Sequence, residues 1–368
     1  FHWDLEFPEV FIDLRKRDWA ENPGFDAAIG NPPYLNVKRG ALSEDLPYLT
    51  GNFRLAKGQW DAFELFFERA HTLIRSGGTC SFIIIPKPSL SSENYEPLRD
   101  LWLANAELCS IADAGTPFPE VAVEAIVAVT RKDVPCEQIA VYTINPEGPI
   151  YLNNLVVQLC TALPFKIIPL RLKSAEVPII HKVQSMAILF QELADLTRGI
   201  EAGKDAPFIH KQPGPELLPL GFGEDLHRYD YQANYWVQRD ENDVKTFKPL
   251  RLYTQTPKLL LRRVGIDLIA AVDATSSNVL NTIYVTEIKE NIPLSVYYLC
   301  ALINSPILAF WFKRVFVFED RLFPYARVSQ ISWLPIRRIA FTTPADERAR
   351  RVEEGKALAE AWVAARQG

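Results

Sequence analysis

Glycine is scarce beside proline in this chain of 368 residues, 17 against 27, so most connections should be stiff loops rather than flexible tethers. No apolar run reaches the roughly 18–20 residues that a membrane span needs, and the N-terminal stretch is no signal peptide. Cysteine is rare as well. Cys80, Cys109, Cys136, Cys160 and Cys300 form no close pairs, which excludes a paired-cysteine zinc site and leads us to expect no disulfide frame and a reducing cytoplasm. The five histidines stand isolated, and H-E-x-x-H, C-x-x-C, P-loop and G-x-S-x-G patterns are all missing. Zinc protease, phosphate-loop and serine-hydrolase chemistry therefore lose their sequence support. An excess of positive charge is missing too: 40 basic residues face 45 acidic ones, for a net charge of −5 and a pI near 5.7. Any nucleic-acid binding must then use a local basic face, because the global field repels phosphate. What is present, 48% hydrophobic and 23% charged residues, is globular composition, and the length suggests two domains.

The first third reads as alternating strands and helices. Phe25–Gly30 is a short strand that breaks into Asn31-Pro32-Pro33-Tyr34. Apolar residues at Phe63, Phe66, Phe67, Ala70 and Ile74 keep a helical spacing, and Gly77-Gly78 is expected to stop that helix. Thr79–Ile85 reads as an apolar run of a strand buried on both faces. A helix over Glu93–Ala104 and strands near Leu108–Ala112 and Ala122–Thr130 follow, an order that predicts a parallel α/β sheet whose last strands turn antiparallel. Prolines then spread through residues 131–185, a late strand or two and a crossing connection. From Leu193 onward the texture changes to short strands, among them Lys258–Arg262, Leu268–Val272 and Thr282–Val285. A helix at Ser295–Asn304 and a charged one from Ala345, started by Pro344, complete the chain.

The sharpest chemical signal is Asn31-Pro32-Pro33-Tyr34. Two prolines fix φ and remove two N–H donors, so the loop presents bare carbonyls. Asn31 adds an amide oxygen that accepts a hydrogen bond, and Tyr34 a flat ring. Together they can hold a planar amino group through its two N–H bonds, with the attached ring stacked on the tyrosine. Such a hold aims a weak nitrogen lone pair at an electrophile, which is catalysis by positioning. On four residues alone, a proline-rich turn after a strand is an equally good reading.

The surrounding stretch, FDAAIGNPPY, resembles the signature of the S-adenosylmethionine-dependent amino-methyltransferases. The likeness continues through Trp60–Glu68, Arg75–Pro86 and Gly115–Lys132, and the order of these segments is similar to that of the gamma class of N6-adenine DNA methyltransferases, the TaqI-type enzymes and their restriction-modification relatives. Leu193–Ile209, Asp225–Tyr229, Thr256–Arg263, Leu302–Ser305 and Leu334–Ile336 resemble landmarks of the C-terminal target-recognition domain of that family. The resemblance covers nearly the whole chain. It implies an α/β fold: a partial S-adenosylmethionine-dependent methyltransferase sheet at residues 1–145, a connection at 146–189, a mixed α+β target-recognition domain at 190–340 and a C-terminal helix at 341–368.

Carried over, the family assigns Asn31 and the Pro32 carbonyl, with Pro33 in the same loop, to the adenine N6 amino group. It assigns Tyr34 to one face of the flipped base and Phe118 to the other, although a phenylalanine between two prolines also suits a loop plug. The implied cofactor is S-adenosyl-L-methionine, and the implied partner is double-stranded DNA, with a restriction endonuclease as partner or fusion. The family binds its cofactor through a glycine-containing strand-turn ahead of this loop, yet Phe1–Glu21 holds no glycine. With a start at Phe1 rather than Met, we expect a fragment that lacks the N-terminal half of its domain and most of the cofactor pocket. By itself it would be inactive and would not bind the cofactor, with Phe25–Gly30 left as an apolar edge.

Lys258, Arg262 and Arg263 form a basic turn, a solvated face by default and, in a recognition domain, candidates for phosphate contact. Asp273 with Glu287-Ile-Lys289 superficially matches a metal-dependent nuclease, but a solvated charged turn is the better reading. The reaction expected is metal-free methyl transfer to adenine N6. Two rivals share the evidence: an RNA or protein-glutamine methyltransferase with the same loop, which would not usually carry a long recognition domain, and a non-catalytic DNA-specificity module.

Overall fold

The computed structural model describes residues 2–367 except 34, 38, 39, 41, 85, 86, 118–123, 186, 266, 291, 293, 317–324 and 338–343. The chain divides into two compact units, Phe1–Val177 and Pro178–Gly368.

The first unit carries β1 (Phe25–Gly30), α1 (Ala62–Leu73), β2 (Ile74–Ile84), α2 (Glu96–Ala104), β3 (Leu108–Gly115), β4 (Ala125–Arg131), β5 (Gln138–Asn145) and β6 (Gly148–Val156). These strands form one sheet in the order β1-β2-β4-β3-β5-β6. Only the β1–β2 and β3–β5 pairs are parallel. Antiparallel pairing enters earlier than expected, because β4 folds back between β2 and β3 instead of joining the far edge. The sheet also runs on through β6, past residue 145.

Burial on β2 alternates: Cys80 and Phe82 are buried, while Thr79, Ser81 and Ile83 are half-buried. The strand is thus not covered equally on both faces, contrary to its apolar reading. On the buried face Phe67 meets Phe82 and Trp102 edge to face at 6.0 and 5.7 Å. Each such pair adds about 0.5–1.5 kcal/mol beyond the area it buries. Leu98, Leu108, Ile111 and Ile126 fill the same core.

Gly77 and Gly78 do not stop α1. The helix ends at Leu73, Ile74 begins β2 at once, and both glycines lie inside the strand. Gly77 takes φ +79°, and a β-carbon on Gly78 would sit 2.8 Å from the Arg75 carbonyl oxygen and 3.1 Å from that of Phe25. The pair permits a bend and a close approach of β1, where the register shifts between Phe25 and Ala27. The expectation of no disulfide also fails. Cys109 and Cys136, 27 residues apart, are joined, because parallel pairing of β3 with β5 brings the start of one strand to the approach of the other. The remaining three cysteines are buried, and burial pushes each thiol up to about 12.

The second unit is mixed α+β, as expected. It contains β7 (Ala194–Arg198), β8 (Leu218–Gly221), β9 (Tyr235–Val237), β10 (Lys258–Arg262), β11 (Ala270–Asp273), β12 (Ile283–Ile288), α3 (Val296–Ile303), α4 (Pro306–Phe316) and α5 (Ala345–Gln367). An antiparallel sheet runs β7-β12-β10-β11. A smaller one runs Ile209–His210, β9, β8 and Asn278–Val279. Leu260, Val285, Phe222, Tyr253 and Val279 belong to one apolar cluster. The Ser295 hydroxyl caps α3 by accepting the Tyr297 N–H at 3.2 Å. Among the described residues no single helix is long and apolar enough to cross a membrane. The bent pair α3–α4 meets that test only jointly, and its Leu299, Ile303, Trp311 and Val315 are buried in this unit.

Candidate functional site

β1 is an edge strand, paired through Ala27–Gly30 with Thr79–Phe82 of β2. Its C-terminal end delivers Asn31 and Pro33 to the surface, while Pro32 is buried. The hydrophobic step of one proline inward fixes the loop, and the neighbouring asparagine is left facing out. A β-carbon on Gly30 would press to 3.3 Å from the Phe82 ring, so glycine here lets the strand end lie on that ring. Tyr34 and Phe118, the two expected stacking rings, lie outside the described residues.

The far side of the loop is clamped. The Ala62 N–H donates to the Leu35 carbonyl at 2.9 Å and the Val37 N–H to the Trp60 carbonyl at 3.2 Å, around an antiparallel bridge between Asn36 and Asp61. This ties the loop to the first turn of α1. That turn is itself locked: the Asp61 N–H donates to the Glu64 carboxylate at 2.8 Å in a capping box, and the Tyr95 hydroxyl donates to Asp61 Oδ2 at 2.5 Å. Glu64 is buried, and that burial raises its carboxyl to about 8 against the nearby Arg99 charge. Burial, then the bond to Asp61, raises the Tyr95 hydroxyl as well. Arg99 is fully buried and donates to the carbonyls of Ser89, Ser92 and Phe165 at 2.5, 2.8 and 2.7 Å. Burial lowers it to about 9. The arrangement is a rigid mount for a loop that presents carbonyl and amide oxygens.

The sequence reading missed Asp61, Glu64, Tyr95 and Arg99. Asp61-Ala-Phe-Glu64 did carry a signal, the D-x-x-E spacing of a capping box just before an apolar run. No motif marks Tyr95, whose partner is 34 residues away, or Arg99, which bonds Ser89 and Ser92 nearby and Phe165 66 residues on.

In the second unit, Lys258 corrects an expectation. Its ammonium is buried, 2.5 Å from Asp273 Oδ2 and 2.8 Å from the Tyr253 carbonyl, so it has no path to a phosphate. It opens β10, whose first four residues are all buried, directly across from the carboxylate that closes β11. Asp273 is therefore no solvated turn either. It also accepts from the Thr275 hydroxyl at 2.6 Å and the Ser277 hydroxyl at 2.6 Å. Burial pushes this carboxyl up, but the bonds from Lys258, Ser277 and Thr275 prevail and hold it below the usual carboxylate range. Glu287 faces Arg251 and Lys289 faces Asp195, so the nuclease-like acids and lysine are dispersed. Among the described residues no group of three or more histidine, cysteine or acidic side chains could hold a metal ion. Arg262 donates to the Val264 carbonyl at 3.0 Å, and Arg263, half-buried, lies over the ring of Tyr325 with its guanidinium carbon 5.0 Å from the centroid.

Residues 1–118 match the Eco57I restriction-modification methylase family, and residues 218–336 match the TaqI-like C-terminal specificity domain. The chain thus joins a stretch similar to a restriction-modification methylase to one similar to a TaqI-like specificity domain. The methylase match takes in the Asn31 loop and its mount, and the specificity-domain match takes in β10, Arg263 and Tyr325. M.TthHB8I of Thermus thermophilus, a type II methyltransferase, is 24% identical over 314 residues, 81% of this chain and 69% of that protein. RM.MjaORFECS2P of Methanocaldococcus jannaschii, named as a type II restriction enzyme and methyltransferase, is 23% identical over 359 residues, 91% of this chain and 28% of its own length. The DNA complex of the Type IIL restriction-modification enzyme MmeI aligns with a TM-score of 0.49 at 14% identity, over 84% of this chain and 45% of that one.

Proposed function

We propose that this chain forms the acceptor-holding and DNA-recognising part of an adenine-N6 DNA methyltransferase of a restriction-modification system. The observation that carries the reading is the Asn31-Pro32-Pro33 loop, set at the open end of β1 and clamped on its far side to α1. The Asn31 side-chain oxygen and the Pro32 carbonyl accept the two N–H bonds of the adenine amino group. With both bonds engaged, the nitrogen lone pair points out of the plane toward the methyl donor. Tyr34 and Phe118 stack on the two faces of the base, which has left the duplex because N6 is otherwise paired. The rigid mount of Asp61, Glu64, Tyr95 and Arg99 keeps the acceptor oxygens from drifting.

S-adenosyl-L-methionine is the donor in this reading and supplies the electrophilic methyl group when bound. The surface beside the loop does not fit such a nucleoside. Ile29 is 82% exposed and the Asp26 carboxylate lies open on the same strand, whereas a donor of this kind needs an enclosed, largely apolar pocket.

The test uses protein expressed from its full reading frame, duplex DNA and methyl-labelled S-adenosylmethionine, followed by digestion to nucleosides. The expected label is in N6-methyladenine. Label in RNA or in protein glutamine would move the assignment to those substrates, and DNA binding without any label would leave the specificity module.

A further inference from the structure

Near the end of β10 the chain builds a feature from residues about sixty positions apart. Val264 and Tyr325 form an antiparallel bridge, and the Ala326 N–H donates to the Arg263 carbonyl at 2.9 Å. This pairing lays two guanidiniums against one ring: Arg263 at 5.0 Å and Arg327 at 5.7 Å from the Tyr325 centroid. Below them Tyr284 is buried, and its hydroxyl donates to the Ala326 carbonyl at 2.9 Å, fixing the segment from beneath. Arg198, paired with Tyr284 across β7 and β12, adds a third guanidinium, itself bridged to Glu201 at 3.2 Å.

Tyr325 is 43% exposed and Arg327 is exposed. Among the described residues neither Arg263 nor Arg327 has a carboxylate within ion-pair distance, because Glu201 is on Arg198 and Asp267 on Lys313. A ring that carries cations on its surface holds the planar guanidiniums in place, so they lose less freedom on binding. Arg327 keeps its N–H edge open to a bidentate anion, and Arg263, which also bonds the Tyr284 hydroxyl, has N–H groups to spare for a second contact. In a chain with a net charge of −5, two arginines on an exposed ring with no ion-pair partner among the described residues are a local exception to the overall field.

We propose that Arg263, Tyr325 and Arg327 form a backbone anchor, in which the two stacked guanidiniums bind phosphates of duplex DNA and position the specificity domain without reading sequence. This rests on the DNA-methyltransferase reading above, and it names where the duplex backbone is held. Arg262, tied to backbone carbonyls, and Lys258, buried against Asp273, are not part of the anchor.

The experiment is fluorescence-anisotropy binding of the whole protein to several labelled duplexes of unrelated sequence, between 50 and 200 mM salt. Arg263→Ala and Arg327→Ala should each weaken every duplex to the same degree and reduce the slope of log affinity against log salt by about 1, and the double variant by about 2. Arg263→Lys should keep the slope, since charge is retained, while losing affinity with the stacked fork. Arg327 is exposed and its variant should melt with the wild type, which keeps the test valid if Arg263→Ala folds poorly. Unchanged affinity and slope in a wild type that does bind DNA would overturn the anchor, as would losses confined to one sequence, the mark of a base reader. A wild type that binds no duplex at all would overturn the DNA reading and the anchor with it.

Discussion

Replacing Lys258 by Met would remove one half of a fully buried ion pair. The ammonium lies 2.5 Å from Asp273 Oδ2 with side-chain exposures of 2% and 0%, so neither charge is shared with water. Removing one partner of such a pair typically costs about 3–5 kcal/mol, because the other charge remains buried and unpaired. Here the stranded carboxylate still has the Thr275 and Ser277 hydroxyls and the Thr275 and Ser277 N–H groups, which places the expected cost near the lower end, about 3 kcal/mol. The loss should depend on pH in a definite direction. Asp273 is held below the usual carboxylate range in the wild type, so it contributes stability that is present above the unfolded-state pKa and fades in acid. In the variant the carboxyl rises, and acid neutralises the charge that causes the damage. Lys258→Met should therefore cost most near pH 7 and progressively less below pH 5. Adding Asp273→Asn should recover more than half of the loss at pH 7. Hydrogen exchange of the β10 and β11 amides, followed by mass spectrometry, reads the local opening free energy of this sheet. A variant within 1 kcal/mol of wild type at pH 7, or no recovery in the double variant, would refute the reasoning about this pair.

Glu64, with its carboxyl raised to about 8, binds its proton more tightly in the folded protein. Stability should fall as pH rises from about 4.5 to 8, by up to about 4–5 kcal/mol at roughly 1.4 kcal/mol per unit, and Glu64→Gln should flatten that slope in pH-dependent melting. Tyr34→Ala and Phe118→Ala should each weaken stacking of an extruded base by about 1–3 kcal/mol, read from 2-aminopurine fluorescence at the target position. A Phe118 variant with unchanged signal and kinetics would mark that residue as a loop plug.

Much of the fold was legible where periodicity and caps act locally. β1, α1, α2, β10, α3 and α5 lie where the apolar spacing, Ser295 and Pro344 placed them. The errors came from contacts that sequence spacing does not encode. Gly77-Gly78 looked like a helix stop, but the constraint on it is the carbonyl of Phe25 on a neighbouring strand. Lys258 looked like part of a basic surface because Arg262 and Arg263 follow it, yet it opens a strand buried on both faces and pairs with Asp273, 15 residues on. Cys109 and Cys136 meet only through the pairing of β3 with β5. At the candidate site the Asn31 loop could be singled out from sequence because the chemistry proposed for it is contained in four consecutive residues. Its mount left a trace only in the Asp61–Glu64 spacing, since Tyr95 reaches Asp61 and Arg99 reaches Phe165 across 34 and 66 residues.

The most direct measurement is single-turnover methylation at saturating DNA, with N6-methyladenine quantified in wild type and in Asn31→Ala, each expressed from the full reading frame. One amide hydrogen bond adds little to a phosphate-dominated interface but sets the geometry of attack. The expected result is N6-methyladenine from the wild type and none from the variant, with DNA affinity within a few fold. Wild-type turnover by Asn31→Ala, or a methylated base other than adenine from the wild type, would contradict the account.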